Sequence, residues 1–436
     1  MIKRILLMIM CSILLYVSWS AVINMRDPVE KQAELIEMAK AEISNKTHVN
    51  AVPYLTDAAG YNTDLTVEAL VDLKNVYIEL GETQAYLNTL KQLTSLVNCP
   101  ADIYDEFTDY YINKNNLVDA LKLLKLGIEN TTDSTLIDKY EKIRYKYTIG
   151  KEIYDDVTLY HNKGIQVKKD GFWGLANSSG KLIIPCEYEK ISTYDTVNNG
   201  CVIVLRSDKS IAALNMKNHP TAIMGTKVTQ LGNLSQNIIP LRIENGNWIL
   251  ADSKLISNYK EYENIGTVSG SSVAVKTDQK WGVARLGNDL IVPYEYDAII
   301  MDEIGRCYAQ DAVFVKKDGD VLLFKNGVSL TDIYSDAKPF GNEGYAAVKK
   351  DGKWGYIDVN GEIKIKYQFD DALSFEQNLA AVKNGEYWGY IDINGKIAIE
   401  PVFKGAKSFL EGHAPVLYDN GWRFITLIEY SKGAGI

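Results

Sequence analysis

Two different periodicities divide the chain into a helical part and a β-rich part. From Asp27 to about Thr148, apolar residues recur every three or four positions, which predicts amphipathic helices. The first run, from Val29 to Ile43, follows Pro28, a residue typical of a helix start. Between Asn45 and Asn62 the pattern stops, and we predict a polar loop containing Pro53 there.

After Gly150 the period of the apolar residues changes to two, as expected for strands. In the clearest unit, Tyr345 to Lys350 alternates, and Asp351-Gly352 is a hairpin-turn signal. Lys353 to Asp358 is then a second strand. Asn360-Gly361 turns the chain again before a third strand that ends at Phe369. Each unit is therefore predicted to contain three strands joined by tight turns.

The helical part repeats itself with an offset of 34 residues, as Tyr77-Ile78 and Tyr111-Ile112 show. A helix-turn-helix unit of this length resembles the tetratricopeptide repeat. The second unit matches that family at the positions where helices pack closely together, namely Tyr104, Phe107, Tyr111, Ala120, Leu124 and Gly127, most of which are aromatic or small. The first unit departs from this pattern at Lys74 and Tyr86. The resemblance implies a peptide-binding groove, and a plain helical spacer is the alternative.

The β-rich part contains eight units with a common register. Trp-Gly marks four of them at Trp173, Trp281, Trp354 and Trp388, and degenerate equivalents lie at Ile211, Trp248, Val321 and Trp422. Successive markers are 38, 37, 33, 40, 33, 34 and 34 residues apart. A valine precedes most markers by six residues, and an aromatic residue follows each Trp-Gly tryptophan by fifteen. We expect the tryptophan and this aromatic residue to fill gaps between stacked units, and the glycine to let a neighbouring backbone or ring lie flat on the strand.

These phrases, best seen at 350–358 and 388–396, resemble the WG-repeat (KWG-repeat) family, which is common in bacterial surface and secreted proteins. The resemblance extends from about residue 155 to 427. It implies an all-β repeat array and no particular activity. Because a closed ring removes exposed strand edges, we predict a β-propeller of seven or eight blades. An open β-solenoid is the alternative.

The first residues carry the localisation signal. Lys3 and Arg4 precede an uncharged run from Ile5 to Ile23. A helix of that length spans about 28 Å, close to the thickness of a bilayer core. With the two cations on the cytoplasmic side, the remainder is predicted to lie outside. Cleavage near Ser20 is the alternative, so residues 1–26 are predicted to be either a membrane anchor or a signal peptide, and the protein either membrane-bound or secreted.

Composition narrows the possible partners. The formal charge of −9 argues against nucleic acid or an anionic lipid surface, because both reward clustered Lys and Arg. Cys99, Cys186, Cys201 and Cys307 are scattered without metal-ligand spacing. Two alternatives are considered for these cysteines: a disulfide between Cys186 and Cys201, or free thiols.

We identify no catalytic, cofactor-binding or metal-binding residue in the sequence. His48, His161, His219 and His413 are scattered, and His413 is expected in a loop or at a strand edge. Asp358 and Asp392 could act as paired carboxylates of a glycoside hydrolase, but they recur at a turn-entry position where Asp caps turn amides. We therefore predict turn caps.

The sequence thus predicts three regions: the N-terminal segment 1–26, a helical tetratricopeptide-like region 27–150, and a β-repeat domain 151–436. The favoured function is an extracytoplasmic, non-catalytic binding or scaffold protein for a protein or cell-wall glycan. A cell-wall hydrolase with acids converging in the propeller channel is one alternative. A purely structural stalk is the other.

Overall fold

The structure is a computed structural model that describes residues 27–162, 164–193, 195, 200–224, 227–286, 289–307 and 312–431. The chain divides into two compact units, of which one ends at Arg144 and the other begins at Tyr145. No helix within the described ranges is both long and apolar enough to cross a membrane. The predicted anchor or signal peptide lies outside these ranges.

The helical unit contains seven α-helices in its described part. They are α1 (Pro28–Ser44), α2 (His48–Ala59), α3 (Thr66–Leu80), α4 (Thr83–Thr94), α5 (Ala101–Asn113), α6 (Leu117–Thr131) and α7 (Ser134–Ile143). The pair α3–α4 corresponds to the pair α5–α6, as the sequence offset predicted. The side chain of Asp27 caps α1, and Gly81 ends α3 with a φ of +72°.

The prediction of a polar loop between Asn45 and Asn62 is wrong, because this segment contains α2. Pro53 lies inside the helix and removes one of its backbone hydrogen bonds. However, Ala51, Leu55 and Ala58 are fully buried along one face of α2. The burial of this apolar face stabilises the helix more than Pro53 destabilises it.

Lys74 and Tyr86, the two residues that depart from the family pattern in the first helical repeat, bind the same side chain. Lys74 Nζ lies 2.8 Å from Glu106 Oε2, and the Tyr86 hydroxyl donates to Glu106 Oε1 at 2.7 Å. Both unusual residues therefore bind one carboxylate in the following helical pair. In that pair, Gly127 is required for packing, because a Cβ atom there would lie 2.8 Å from the Tyr104 ring.

The second unit consists of eight four-stranded antiparallel sheets in the described residues, which we call blades 1–8. Blade 1 contains β2 (Asp156–His161), β3 (Gly164–Lys169), β4 (Phe172–Asn177) and β5 (Leu182–Tyr188), and blade 2 contains β6 (Lys190–Ile191), β7 (Cys201–Leu205), β8 (Ile211–Asn215) and β9 (Pro220–Met224). Blade 3 contains β10 (Val228–Leu231), β11 (Ile238–Ile243), β12 (Trp248–Asp252) and β13 (Ser257–Tyr262), and blade 4 contains β14 (Asn264–Ile265), β15 (Ser272–Thr277), β16 (Lys280–Arg285) and β17 (Leu290–Tyr296). Blade 5 contains β18 (Ala298–Ile299), β19 (Ala312–Lys317), β20 (Asp320–Lys325) and β21 (Val328–Tyr334). Blade 6 contains β22 (Asp336–Ala337), β23 (Tyr345–Lys350), β24 (Lys353–Asp358) and β25 (Ile363–Phe369). Blade 7 contains β26 (Asp371–Ala372), β27 (Leu379–Asn384), β28 (Tyr387–Asp392) and β29 (Ile397–Phe403). Blade 8 combines β30 (Gly405–Ala406), β31 (His413–Tyr418) and β32 (Gly421–Leu427) with β1 (Tyr147–Ile149).

Strand β1 closes the ring of blades, because it comes from the start of the unit and pairs with its last strand. Thr148 lies opposite Thr426, and the Gly150 amide donates to the Phe424 carbonyl at 2.7 Å. The Tyr154 amide donates to the Trp422 carbonyl at 3.0 Å. The architecture is an eight-bladed β-propeller. The propeller prediction is confirmed, and the open solenoid is wrong.

Each blade has one strand more than the sequence predicted. The additional strand comes first and is often only two residues long, as in β26, where Ala372 pairs with Val382. The prediction of three strands is wrong, and the additional strand was missed because two residues are too few to show an alternating pattern in the sequence. These short strands and the loops after them line the axis of the ring.

The fifteen-residue spacing in the sequence is a cross-strand pair within one blade. Trp388 lies opposite Lys383 on one side and Phe403 on the other, and Trp354 lies opposite Phe369 in the same way. Directly opposite residues of antiparallel strands share a face of the sheet. Phe403 also packs against Tyr418 of the following blade, with ring centroids 5.7 Å apart. The expectation that the second aromatic residue fills a gap between units is therefore confirmed, and it does so on the same face of the sheet as the tryptophan.

The glycine after each Trp-Gly tryptophan gives room to the backbone of the outer strand. A Cβ atom on Gly389 would lie 2.5 Å from the Ile399 carbonyl oxygen, and one on Gly355 would lie 2.7 Å from that of Ile365. The ladder shifts register at this point, so the fourth strand bulges across the glycine. This confirms that a neighbouring backbone lies flat against the strand.

The hydrophobic core lies between adjacent blades. Tyr356 of blade 6 packs on Phe375 of blade 7 with ring centroids 4.8 Å apart, and Tyr390 packs on Phe409 of blade 8 at 4.7 Å. The Tyr356 hydroxyl donates to the Leu373 carbonyl at 2.9 Å, so the buried tyrosine is satisfied. Aromatic pairs thus hold blades 6, 7 and 8 together.

We expect Gly389→Ala to lower the free energy of unfolding by about 2 kcal/mol or more, because its Cβ atom would overlap the outer strand. Gly352→Ala is the control, since Gly352 has a φ of +80° and open space around it. That change should cost only about 1 kcal/mol of backbone strain. Urea denaturation measures both, and equal losses would contradict the steric explanation.

Candidate functional site

A cavity of about 480 Å³ lies on the axis of the propeller. Its walls come from blades 1, 5, 6, 7 and 8, chiefly from the short inner strands and the loops that follow them. In blades 6, 7 and 8 the lining includes Lys338, Asp371, Trp388, Lys407 and Trp422, which we call the channel mouth. A concave site with apolar walls and a few charged groups has the character of a ligand-binding site.

A loop of blade 5, residues 302–306, reaches across the axis beside this cavity. The Ile304 carbonyl accepts hydrogen bonds from Asn233 Nδ2 of blade 3, at 3.0 Å, and from the Thr267 hydroxyl of blade 4. Glu303 forms an ion pair with Lys407 of blade 8. Ile304 is buried. The loop therefore ties three other blades together and narrows the channel.

Arg306 lies at the centre of a charged cluster in the wall of the same cavity. Its Nε donates to Asp302 Oδ2 at 2.7 Å, and Asn342 donates to the Glu376 carboxylate. Burial raises the pKa of Glu376 to about 7, with nearby Glu343 adding to the rise and Arg306 opposing it. Glu376 is therefore partly protonated at neutral pH, while the carboxylate of Asp302 has the guanidinium as its partner.

His161 of blade 1 faces the same guanidinium. Burial lowers the pKa of His161 to about 4, and the positive charge of Arg306 lowers it further, against the carboxylates of Asp195 and Asp302. The imidazole is therefore neutral at pH 7. The cavity wall holds one permanent cation, a paired carboxylate and a partly protonated glutamic acid, and a neutral histidine lies near them.

The channel mouth combines cations with aromatic rings. Lys407 Nζ lies 5.5 Å from the Trp422 ring, and Lys338 Nζ lies 5.2 Å from the Trp354 ring. The Asp371 carboxylate accepts the Ala372 amide at 2.8 Å and caps the start of its inner strand. Such a surface can bind a partner through apolar contact and charge together.

Asp358, Asp392 and His413, which were considered from the sequence as possible site residues, lie outside this cavity. Asp358 accepts the amides of Asn360 and Glu362 at 2.9 and 3.0 Å, and Asp392 caps its own turn in the same way. The prediction of turn caps is confirmed. His413 begins strand β31 and shares a hydrogen bond with the Thr426 hydroxyl at 2.8 Å. It lies at a strand end rather than in a loop.

The cysteines do not form a site in the described part of the chain. Cys99, Cys186, Cys201 and Cys307 are free thiols, so Cys186 and Cys201 are not paired. Within the same residues, no cluster of three His, Cys, Asp or Glu side chains is placed to hold a metal ion.

Sequence reasoning missed Arg306 and Glu376, because both lie in inner segments that differ from blade to blade. One signal did point to the blade 5 loop. The gap of 40 residues between Trp281 and Val321 is the longest in the array, and the additional residues fall in the segment that contains this loop.

A lysine, the marker tryptophan and an aromatic residue lie opposite one another on neighbouring strands of a blade, and the glycine after the tryptophan lies against the outer strand. This arrangement identifies the type of repeat. Residues 173–209, 332–354, 354–388 and 388–422 match the WG containing repeat. The matches lie in blades 1, 2 and 5–8, so the C-terminal region carries WG repeats. The helical unit and the N-terminal segment lie outside them.

Three solved structures are similar to this chain at 11% sequence identity each. BamB from Moraxella catarrhalis has a TM-score of 0.44, over 64% of this chain and 99% of that one. The Dos1 propeller has a TM-score of 0.42, over 65% and 95%. Kluyvelomyces marxianus Hsv2 has a TM-score of 0.37, over 62% and 97%. No curated protein matches the sequence.

We expect Glu376→Gln to remove a pH dependence of stability. The raised pKa means that the native state holds a proton that the unfolded chain releases, so wild-type stability falls as pH rises from about 4.3 to about 7. Relative to wild type, the variant should gain about 2 kcal/mol between pH 4 and pH 8, discounted for partial solvent access. Urea denaturation at both pH values tests this, with the exposed Glu400→Gln as control. An equal response of both variants would contradict the burial of this proton.

Proposed function

We propose that this chain is an extracytoplasmic, non-catalytic binding protein whose propeller holds a protein partner at the channel mouth. The observation that supports this most is the axial cavity, where tryptophans and lysines from blades 6, 7 and 8 surround one opening. Aromatic rings and charged groups held in fixed positions favour recognition of a protein surface. A cell-wall glycan is the alternative ligand for the same surface.

The structural partners of the channel carboxylates support binding over catalysis. Glu303 is paired with Lys407, Asp302 with Arg306, and Asp371 caps its strand. Groups already engaged in this way hold the walls in place. They offer a partner a rigid surface of defined charge.

The extracytoplasmic location is proposed from the sequence. Lys3 and Arg4 before the uncharged run Ile5 to Ile23 support export of everything that follows, either tethered or released.

The helical unit has a cleft of about 500 Å³ between α2, α3 and α4. Its walls carry amide and hydroxyl side chains, among them Asn62, Asn88 and Gln92, and no charged residue. This supports the tetratricopeptide-like interpretation of a second, peptide-binding platform. A spacer role for the helices stays the alternative.

A cell-wall hydrolase is the second candidate function, and Glu376 is the observation that favours it. A glutamic acid with a pKa of about 7, near the Asp302 side chain that pairs with Arg306, has the properties of a general acid beside a carboxylate. Turnover of wall fragments that is lost in Glu376→Gln would support this candidate.

A capture experiment tests the binding proposal. Residues 27–436 are immobilised and exposed to envelope proteins and, separately, to isolated wall material of the source cell. We expect a specific protein to bind, and Lys338→Glu to weaken its capture at least tenfold by reversing a charge at the channel mouth. Lys366→Glu, on the exposed outer strand of the same blade, is the matched control and should bind like wild type.

Other outcomes would redirect or end the proposal. Capture by residues 27–144 alone would move the site to the helical unit. Capture of wall material rather than protein would favour the glycan alternative. Equal binding by Lys338→Glu and wild type would contradict the assignment to the channel mouth, and the lack of any partner would favour a structural stalk.

A further inference from the structure

The junction between blades 3 and 4 lacks the aromatic pair that fills the junctions of blades 6, 7 and 8. Leu250 lies two residues after the marker Trp248, at the position that Tyr356 has in blade 6. Val268 lies at the position that Phe375 has in blade 7. These smaller side chains occupy less of the space between the blades. A cavity of about 670 Å³ lies at this junction. The axial cavity described above has no wall from either blade.

Apolar side chains form one part of the lining of this cavity. Leu250, Val273 and Val275 form part of its lining and are almost completely buried. Tyr262 and Tyr294, from the outer strands of the two blades, also line it. A ligand that contacts this part of the lining gains from an apolar portion.

Two cations stand at the same cavity, although the chain as a whole has a formal charge of −9. Lys260 and Arg285 both line it. The side chain of Arg285 is exposed and has no hydrogen-bond or ion-pair partner among the described residues. Asp252, the one acid in the lining, accepts the amides of Lys254 and Ile256 at 2.9 Å and caps its own turn.

We propose that this cleft binds an aliphatic carboxylate, with its chain against Leu250 and Val275 and its anionic head at Arg285 and Lys260. Charge complementarity selects the head group, because a guanidinium pairs with a carboxylate through two parallel hydrogen bonds. The apolar part of the lining selects the chain. The site is separate from the channel mouth, so it does not depend on the proposed protein partner.

Three twelve-carbon probes of different charge test the head-group assignment. Residues 27–436 contain both compact units with their described cores and are used without detergent, with each probe below its micellar concentration. Isothermal titration calorimetry should show one saturable site for dodecanoate. Dodecanol and dodecyltrimethylammonium should bind at least tenfold more weakly, because neither offers an anion to Arg285. Equal binding of all three probes would overturn the proposal and identify adventitious apolar adsorption.

Two variants locate the site. Arg285→Glu should weaken dodecanoate binding at least tenfold, while Lys254→Glu, a surface charge reversal in blade 3 outside the lining, should leave it unchanged. Leu250→Tyr restores the aromatic residue found in blades 6 and 7 and should block the cleft. Arg285 is exposed, so its replacement keeps the test valid if the Leu250 variant fails to fold. Unchanged binding by Arg285→Glu would overturn the proposal.

Discussion

The structure depends on ring closure, because a four-stranded blade cannot bury both of its faces alone. Each blade covers one face of the next, and the series ends only when the last blade meets the first. Strand β1 accomplishes this with three residues, Tyr147 to Ile149, and the backbone bonds continue to Tyr154. Closure removes two exposed edges that would otherwise pair with other chains. It also creates the axial cavity, since walls from blades 1, 5, 6, 7 and 8 meet only in a closed ring.

The repeated residues build the ring, and the residues that break the repeat build its candidate sites. Tyr356 and Tyr390 pack aromatic pairs between blades. A cleft lies between blades 3 and 4, where Leu250 stands at the position of the tyrosine. The blade 5 loop that carries Arg306 exists because that unit has additional residues. A regular repeat therefore supplies stability, and each local departure from it supplies chemistry.

Spacing in the sequence was sufficient to predict the helical region, the eight β units and the propeller, because these features follow from residues that recur at similar intervals. The two-residue inner strands could not be predicted, since pairing such as Ala372 with Val382 depends on the ring rather than on local pattern. Helix α2 was missed because Pro53 opposes a helix locally, while burial of Leu55 outweighs it. Glu376 and Arg306 were missed because their proximity depends on closure of the ring, which brings blades 5 and 7 together around one axis.

Hydrogen–deuterium exchange of the wild-type chain tests ring closure most directly. The amides of Gly150, Tyr154 and Trp422 all donate to backbone carbonyls across the closure. If the ring is closed, these amides should exchange as slowly as those in the middle strands β27 and β28 of blade 7, because they open only when the propeller opens. Exchange of the three amides within seconds, with β27 and β28 still protected, would contradict the closed propeller and with it the axial site.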